Sequence, residues 1–287
     1  MPPRGWGWRS RGAGGTLRGM RRNPHAALLV NTPEIELWPG GLLRARSNHD
    51  ARVLSRALRV LRRKRDGRFL AAELPEGLMP LVPTLAREPG LDAALDALDA
   101  FPVHARNGLD RVRELPLTRL QDRLEALGLD DRYAERTGLP LVAEPDHLGF
   151  AGADRFGRPL WLLPGAARAW QHMQADARRE DVVLESISGY RSHDYQLGIF
   201  ERKLARGQTV DEVLTVNAAP GYSEHHGGRA LDIGTPDEPP AEESFEQTRA
   251  FAWLQQNAGA HGFVMSYPRD NPHGIVYEPW HWCWRGG

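Results

Sequence analysis

The chain has a single cysteine, Cys283, among 287 residues, so no internal disulfide can brace it. Long apolar runs are missing as well, and nothing approaches the roughly 20 residues of a membrane-spanning helix. The formal net charge is zero, which argues against bulk electrostatic attraction to nucleic acid. Acid is absent from residues 1–33, which instead carry Arg4, Arg9, Arg11, Arg18, Arg21 and Arg22. That stretch reads as a basic, disordered tail. No export signal is legible. Ala26 to Val30 is shorter than the apolar core of about 7–15 residues in a signal peptide. Pro24 and His25 follow the Arg21-Arg22 pair where an apolar run should be. Cys283 lies between Trp282 and Trp284, a setting that suits a small core residue better than a nucleophile.

Apolar residues and nine tryptophans are enough for a sizeable core. Residues 34–138 are expected to form a mainly helical region. A short hairpin fits 34–46, around Pro39-Gly40-Gly41. Beyond the possible caps Asn48 and Asp50, Val53, Leu54, Ala57, Leu58 and Leu61 recur at helical spacing. Leu91 to Leu98 and Leu117 to Leu127 suggest two further helices. No cluster of His, Cys or acids in this region suggests chemistry, and it reads as a module packed beside a catalytic domain.

The pattern changes from about residue 139. Pro164 opens a helix through Met173, and Val182 to Ser188 reads as a buried strand. Asp194 to Ala205 looks helical, and Thr209 with Glu212 fits a capping box. Ala230 to Ile233, Phe263 to Tyr267 and Ile275 to Trp284 read as strands, with a helix over Phe245 to Gln256. Strands and helices do not alternate regularly, so the fold class is α+β with a mostly antiparallel sheet over 139–287.

The chemistry-bearing stretch is Ser223-Glu224-His225-His226-Gly227-Gly228-Arg229-Ala230-Leu231-Asp232, joined by Glu278-Pro279-Trp280-His281. Two imidazoles and one carboxylate make a three-donor set with an open fourth position, the arrangement a catalytic zinc requires. Alternation in the strand turns Asp232 away from the core-facing Leu231 and Ile233. The glycine pair permits a turn that brings a histidine back to the same point. Spacing alone does not choose between His225 and His226. Glu278, held extended before a proline, is the candidate base. Arg191, just after the buried strand, is the candidate cation for an oxyanion or a substrate carboxylate. Glu224, Asp237 and Glu238 read as solvated loop acids. The other histidines read as structural or exposed.

Taken together, Ser223-x-His225-x-x-Gly228-x-Ala230-x-Asp232 and Glu278-x-Trp280-His281 resemble the VanY-type zinc D-alanyl-D-alanine carboxypeptidases, of the lysostaphin/D-Ala-D-Ala/hedgehog metallopeptidase group. Ser188-Gly189-Tyr190-Arg191-Ser192, followed by Tyr195-Gln196, is similar to that family's preceding arginine segment. The resemblance covers roughly residues 139–287. It implies one Zn2+ on His225, Asp232 and His281, which selects His225 over His226. It also implies Glu278 as catalytic base and Arg191 as substrate or oxyanion contact. Ser223, Tyr190, Ser192, Gln196 and Trp280 would be polar or apolar substrate contacts. The implied partners are peptidoglycan stem peptides or other peptides with a free C-terminal carboxylate. The implied location is the cell envelope, while the unread export signal leaves the cytoplasm open.

Overall fold

The computed structural model describes residues 27–103, 111–129, 131–214 and 218–286. Most of the basic tail, residues 1–26, lies outside them. The tail expected over 1–33 ends earlier than that, because Leu28–Asn31 is a strand, β1. It enters a seven-stranded antiparallel sheet with β2 (Ile35–Pro39), β3 (Arg59–Arg63), β4 (Phe69–Leu74), β5 (Gly77–Pro80), β6 (His147–Ala153) and β7 (Pro159–Leu162). Their order is β5-β4-β3-β2-β1-β6-β7. A second antiparallel sheet holds β8 (Glu185–Ser188), β9 (Ala230–Gly234), β10 (Phe263–Met265) and β11 (His281–Trp284), in the order β10-β11-β9-β8.

The N-terminal region is therefore mostly strands, which corrects the helical expectation. Helix α1 (Asn48–Leu54) begins at its Ser47 cap but stops at Leu54. The apolar residues beyond it serve β3, where Leu61 pairs with Leu37 on one side and Ala71 on the other. Residues 34–46 do not close a hairpin, since β2 pairs with β1 and β3 instead. The expected helices α2 (Leu91–Ala100) and α3 (Thr118–Ala126) are present, and α4 (Asp131–Thr137) follows.

Alternation along β1 distributes the core. Leu29 packs into the larger cluster, and Val30 faces the opposite way, under Ala94 of α2. The larger cluster joins both sheets. It contains Leu148 and Leu162 of the first sheet and Leu231, Ile233 and Trp282 of the second. Between them come Trp170 and Met173 of α5 (Pro164–Arg179). Pro164 opens α5 at no cost because the first N–H of a helix has no intrahelical partner. Ala166, Ala167, Trp170, Met173 and Ala177 then form its single buried stripe. Helix α6 (His193–Leu204) follows β8, α7 (Val210–Leu214) opens on the Thr209–Glu212 capping box, and α8 (Arg249–Asn257) covers the second sheet. No helix of the described residues is long and apolar enough to cross a membrane.

Candidate active site

The site is built on the central pair of the second sheet. His281 of β11 lies opposite Asp232 of β9 in the ladder, so two donors on distant segments share one face by register alone. His225 arrives from the short 3-10 turn Glu224–Gly227, which ends on Gly228 at φ 65. Gly228 is required twice. Its left-handed φ suits glycine, and a Cβ there would come within 2.4 Å of Leu148 Cδ2. The chain reverses at that point and β9 begins two residues later.

Donor atoms of His225, Asp232 and His281 lie within 4.8 Å of one another, and all three residues are buried. Asp232 Oδ1 is 3.2 Å from both His225 Nε2 and His281 Nδ1. The ring orientations follow from the partners behind them. His225 Nδ1 is 2.7 Å from the Gly189 carbonyl, which can only accept, so Nδ1 carries the proton and Nε2 presents its lone pair to the site. That Nε2 is buried and makes no hydrogen bond to any described residue. A buried lone pair of this kind, beside a carboxylate and a second imidazole, fits a metal ion. His226 is excluded as a donor because both its nitrogens are engaged, Nδ1 with the Arg191 carbonyl at 2.6 Å and Nε2 with the Gly221 N–H at 3.1 Å.

Behind His281 stands Glu224, which departs from the expectation of a solvated loop acid. Its Oε2 accepts from His281 Nε2 at 2.9 Å, and its Oε1 accepts from Arg285 at 2.6 Å. Carboxylate support of this type fixes a ligating imidazole and raises its basicity. Burial opposes the charged form of His281, yet the hydrogen bonds to Asp232 and Glu224 raise its pKa to about 9. His225 moves the other way, to about 4, because burial and the nearby Arg191 disfavour its cation. Burial would also protonate Asp232, but His225, His281 and Arg191 hold it well below the usual carboxylate range.

Glu278 sits in a turn just before β11, where its N–H bonds the Tyr267 carbonyl at 3.1 Å. Its Oε2 is 3.8 Å from His281 Nδ1, close to the donors without joining them. Burial, assisted by Asp232 and Glu224, raises its pKa to about 7 against the pull of His281 and Arg191. Arg191 Nη2 is 4.0 Å from Asp232 Oδ2, and its buried Nε has no hydrogen-bond partner among the described residues. These groups line one cavity of about 430 Å3 together with Ser223, Gln196, Trp280 and Tyr267.

The remaining expected contacts divide. Ser192 caps α6 by accepting from the Tyr195 N–H at 3.1 Å. Tyr190 gives its hydroxyl to Glu144 at 2.7 Å and accepts from Asn31 at 3.1 Å, so its polar end is committed to the interior. Gln196 lines the cavity while its Nε2 donates to the Ala218 carbonyl. Sequence reasoning missed Glu144, and it gave Tyr267, in the family-like pair Tyr267-Pro268, no role. The Tyr267 ring lies 4.7 Å from that of His281.

Residues 160–287 match the family model VanY, D-alanyl-D-alanine carboxypeptidase. The bifunctional D-Ala-D-Ala dipeptidase and D-Ala-D-Ala carboxypeptidase VanXYC of Enterococcus gallinarum is 30% identical over 149 residues, 50% of this chain and 76% of that protein. The chain belongs to the VanY D-alanyl-D-alanine carboxypeptidase family. Within the stretch that matches the VanY model, His225, Asp232 and His281 form a His-Asp-His set that could hold a metal ion. YodJ of Bacillus subtilis is 37% identical over 126 residues, 42% of this chain and 45% of that protein, so the chain spans under half of that relative's length. Among solved structures, the LdcB LD-carboxypeptidase aligns with a TM-score of 0.44 and 31% identity, over 47% of this chain and 65% of that one. The VanY match begins inside β7, so β1 to β6 lie outside it.

Proposed function

We propose that this VanY-family peptidase is a zinc-dependent D,D-carboxypeptidase that removes the terminal D-Ala from peptidoglycan stem peptides. The observation that carries the reading is one cavity holding an unpartnered His225 Nε2, a convergent carboxylate and imidazole, and a separate carboxyl with a pKa of about 7. His225, Asp232 and His281 would hold the ion, and the mixed nitrogen and oxygen donors suit zinc. Bound zinc supplies Lewis acidity and lowers the pKa of a coordinated water toward about 7.

The chain's own groups supply the rest. Glu278 accepts a proton from the attacking water and returns it to the leaving amine, a task matched to a carboxyl that titrates near neutrality. Arg191 lines the cavity with its Nε unbonded among the described residues, and it pairs with the terminal carboxylate or the developing oxyanion of the substrate. Trp280 and Ser223 line the wall against which the terminal residue rests. Residues 139–287 act as the catalytic unit in this reading.

Two results test it. His281→Ala removes one donor and is expected to leave the protein without stoichiometric zinc by elemental analysis; undiminished zinc would refute its ligand role. Product analysis by mass spectrometry on defined tetra-, penta- and cross-linked stem peptides, with and without chelator, identifies the bond. Loss of one D-Ala from the pentapeptide alone supports the proposal. Cleavage of the tetrapeptide, release of a dipeptide or opening of a cross-link would reassign the same site to an L,D-carboxypeptidase, a D,D-dipeptidase or an endopeptidase. Wall-peptide binding without any hydrolysis would make the protein a binding module.

A further inference from the structure

A second cleft, of about 260 Å3, opens beside the catalytic cavity and shares Arg191 with it. The seven-stranded sheet lines it with Glu36 and Trp38 on β2, Arg62 on β3 and Trp161 on β7, whose ring meets that of Trp38 edge-on at 5.4 Å between centroids. Arg158 and Tyr195 complete the lining. The polar groups are fixed in advance. Glu36 is buried, and its Oε2 accepts from Trp38 Nε1 at 2.7 Å and from Arg62 at 2.6 Å. The Arg62 guanidinium lies 5.5 Å from the Trp38 ring centroid. Asp154 holds Arg158 Nε at 2.6 Å, and the Ile187 carbonyl holds its Nη2 at 3.1 Å.

Each arginine is thus neutralised by one acid yet keeps further N–H donors, because a guanidinium has five. The second oxygen of Glu36 makes no hydrogen bond among the described residues. The Trp161 Nε1 is buried and also has no partner among them. Tyr195 leaves half of its surface in solvent at the cleft rim. Aromatic faces beside rigid, charge-neutralised planar groups with spare donors and acceptors suit a neutral, many-hydroxyl ligand better than an ion. Sugar C–H faces stack on such rings while the hydroxyls bridge the planar groups.

We propose that this cleft is a sugar subsite. It receives the glycan end of a substrate whose peptide end occupies the catalytic cavity, and so gives β2 and β3 a role in substrate choice. The inference rests on the proposed stem-peptide activity. The test uses zinc-loaded full-length protein and a stem pentapeptide, with and without its amino-sugar disaccharide. Binding is measured by calorimetry on the Glu278→Gln background, where turnover is slowed enough to leave most of the substrate intact.

The sugar-bearing peptide is expected to bind about tenfold more tightly than the bare one, the size of one good aromatic contact. Trp38→Ala is expected to erase that ratio, and so is Tyr195→Ala, whose exposed ring can be removed without disturbing the core. Both are expected to leave kcat and KM for the bare peptide, measured with the base intact, within about twofold of wild type. Equal affinities for the two peptides, or variants that weaken both alike, would overturn the subsite. If the wild type cleaves no stem peptide, the proposed activity fails. Saturation-transfer NMR with the free disaccharide then decides the subsite, and it stands only if Trp38→Ala abolishes the signal.

Discussion

Glu278→Gln is expected to lower kcat by about 10^2–10^4 while zinc stays at one ion per chain. Glutamine preserves the shape and most of the polarity of a half-buried side chain that lies 3.8 Å from His281 Nδ1. What it removes is the ability to take a proton and give it back. Because Glu278 is not among the three converging donors, the metal has no reason to leave. The pH profile sharpens the test. Burial raises the Glu278 pKa to about 7 in the metal-free protein, and a neighbouring dication pulls it lower. The acid limb of kcat/KM in the wild type should therefore fall at or below about pH 7, as the base becomes protonated. The residual activity of the variant should lack that limb. Turnover within threefold of wild type would remove Glu278 from the chemistry, and loss of zinc would make it a ligand instead.

Two of the three candidate metal donors were legible because they ride on regular structure. Strand alternation placed Asp232 and His281 on the side away from Leu231 and Trp282, and antiparallel register then set them opposite each other. The two parts that stayed hidden depend on long-range partners. Val53 to Leu61 fits helical spacing, but Arg59–Arg63 also fits a strand, and pairing with β2 and β4 decides the matter in favour of the strand. Glu224 resembled a solvated acid because its neighbours in sequence are polar. Its partners His281 and Arg285 lie 57 and 61 residues away and meet it only through the sheet. Glu144 and Lys64 lie 80 residues apart, with no spacing rule to connect them.

That last pair carries the largest expected effect on stability. Glu144 is buried on the segment leading to β6, and Lys64, just past the end of β3, is buried against it. The carboxylate also accepts from the Tyr190 hydroxyl and from the His193 N–H, each at 2.7 Å. Burial favours the protonated acid, but Lys64, His193 and these hydrogen bonds win and hold the pKa at about 2. Glu144→Ala leaves the Lys64 ammonium buried without its counterion and is expected to cost about 3–5 kcal/mol in urea unfolding. The double change Lys64→Met with Glu144→Leu should cost far less, because no charge is then stranded. The pH dependence has a definite sign. A carboxylate depressed on folding stabilises the protein above its unfolded value, near 4.5, and that contribution fades as pH falls toward about 2. Wild type should therefore lose more stability than Glu144→Gln between those limits. Equal slopes, or a Glu144→Ala cost under about 1 kcal/mol, would show the pair to be incidental. A large cost would reach the site as well, since Tyr190 and His193 flank Arg191 on either side and both are anchored by this one carboxylate. Both neighbours of Arg191 are thus bound to a carboxylate that is itself paired with Lys64, just past β3 and outside the stretch that matches the family.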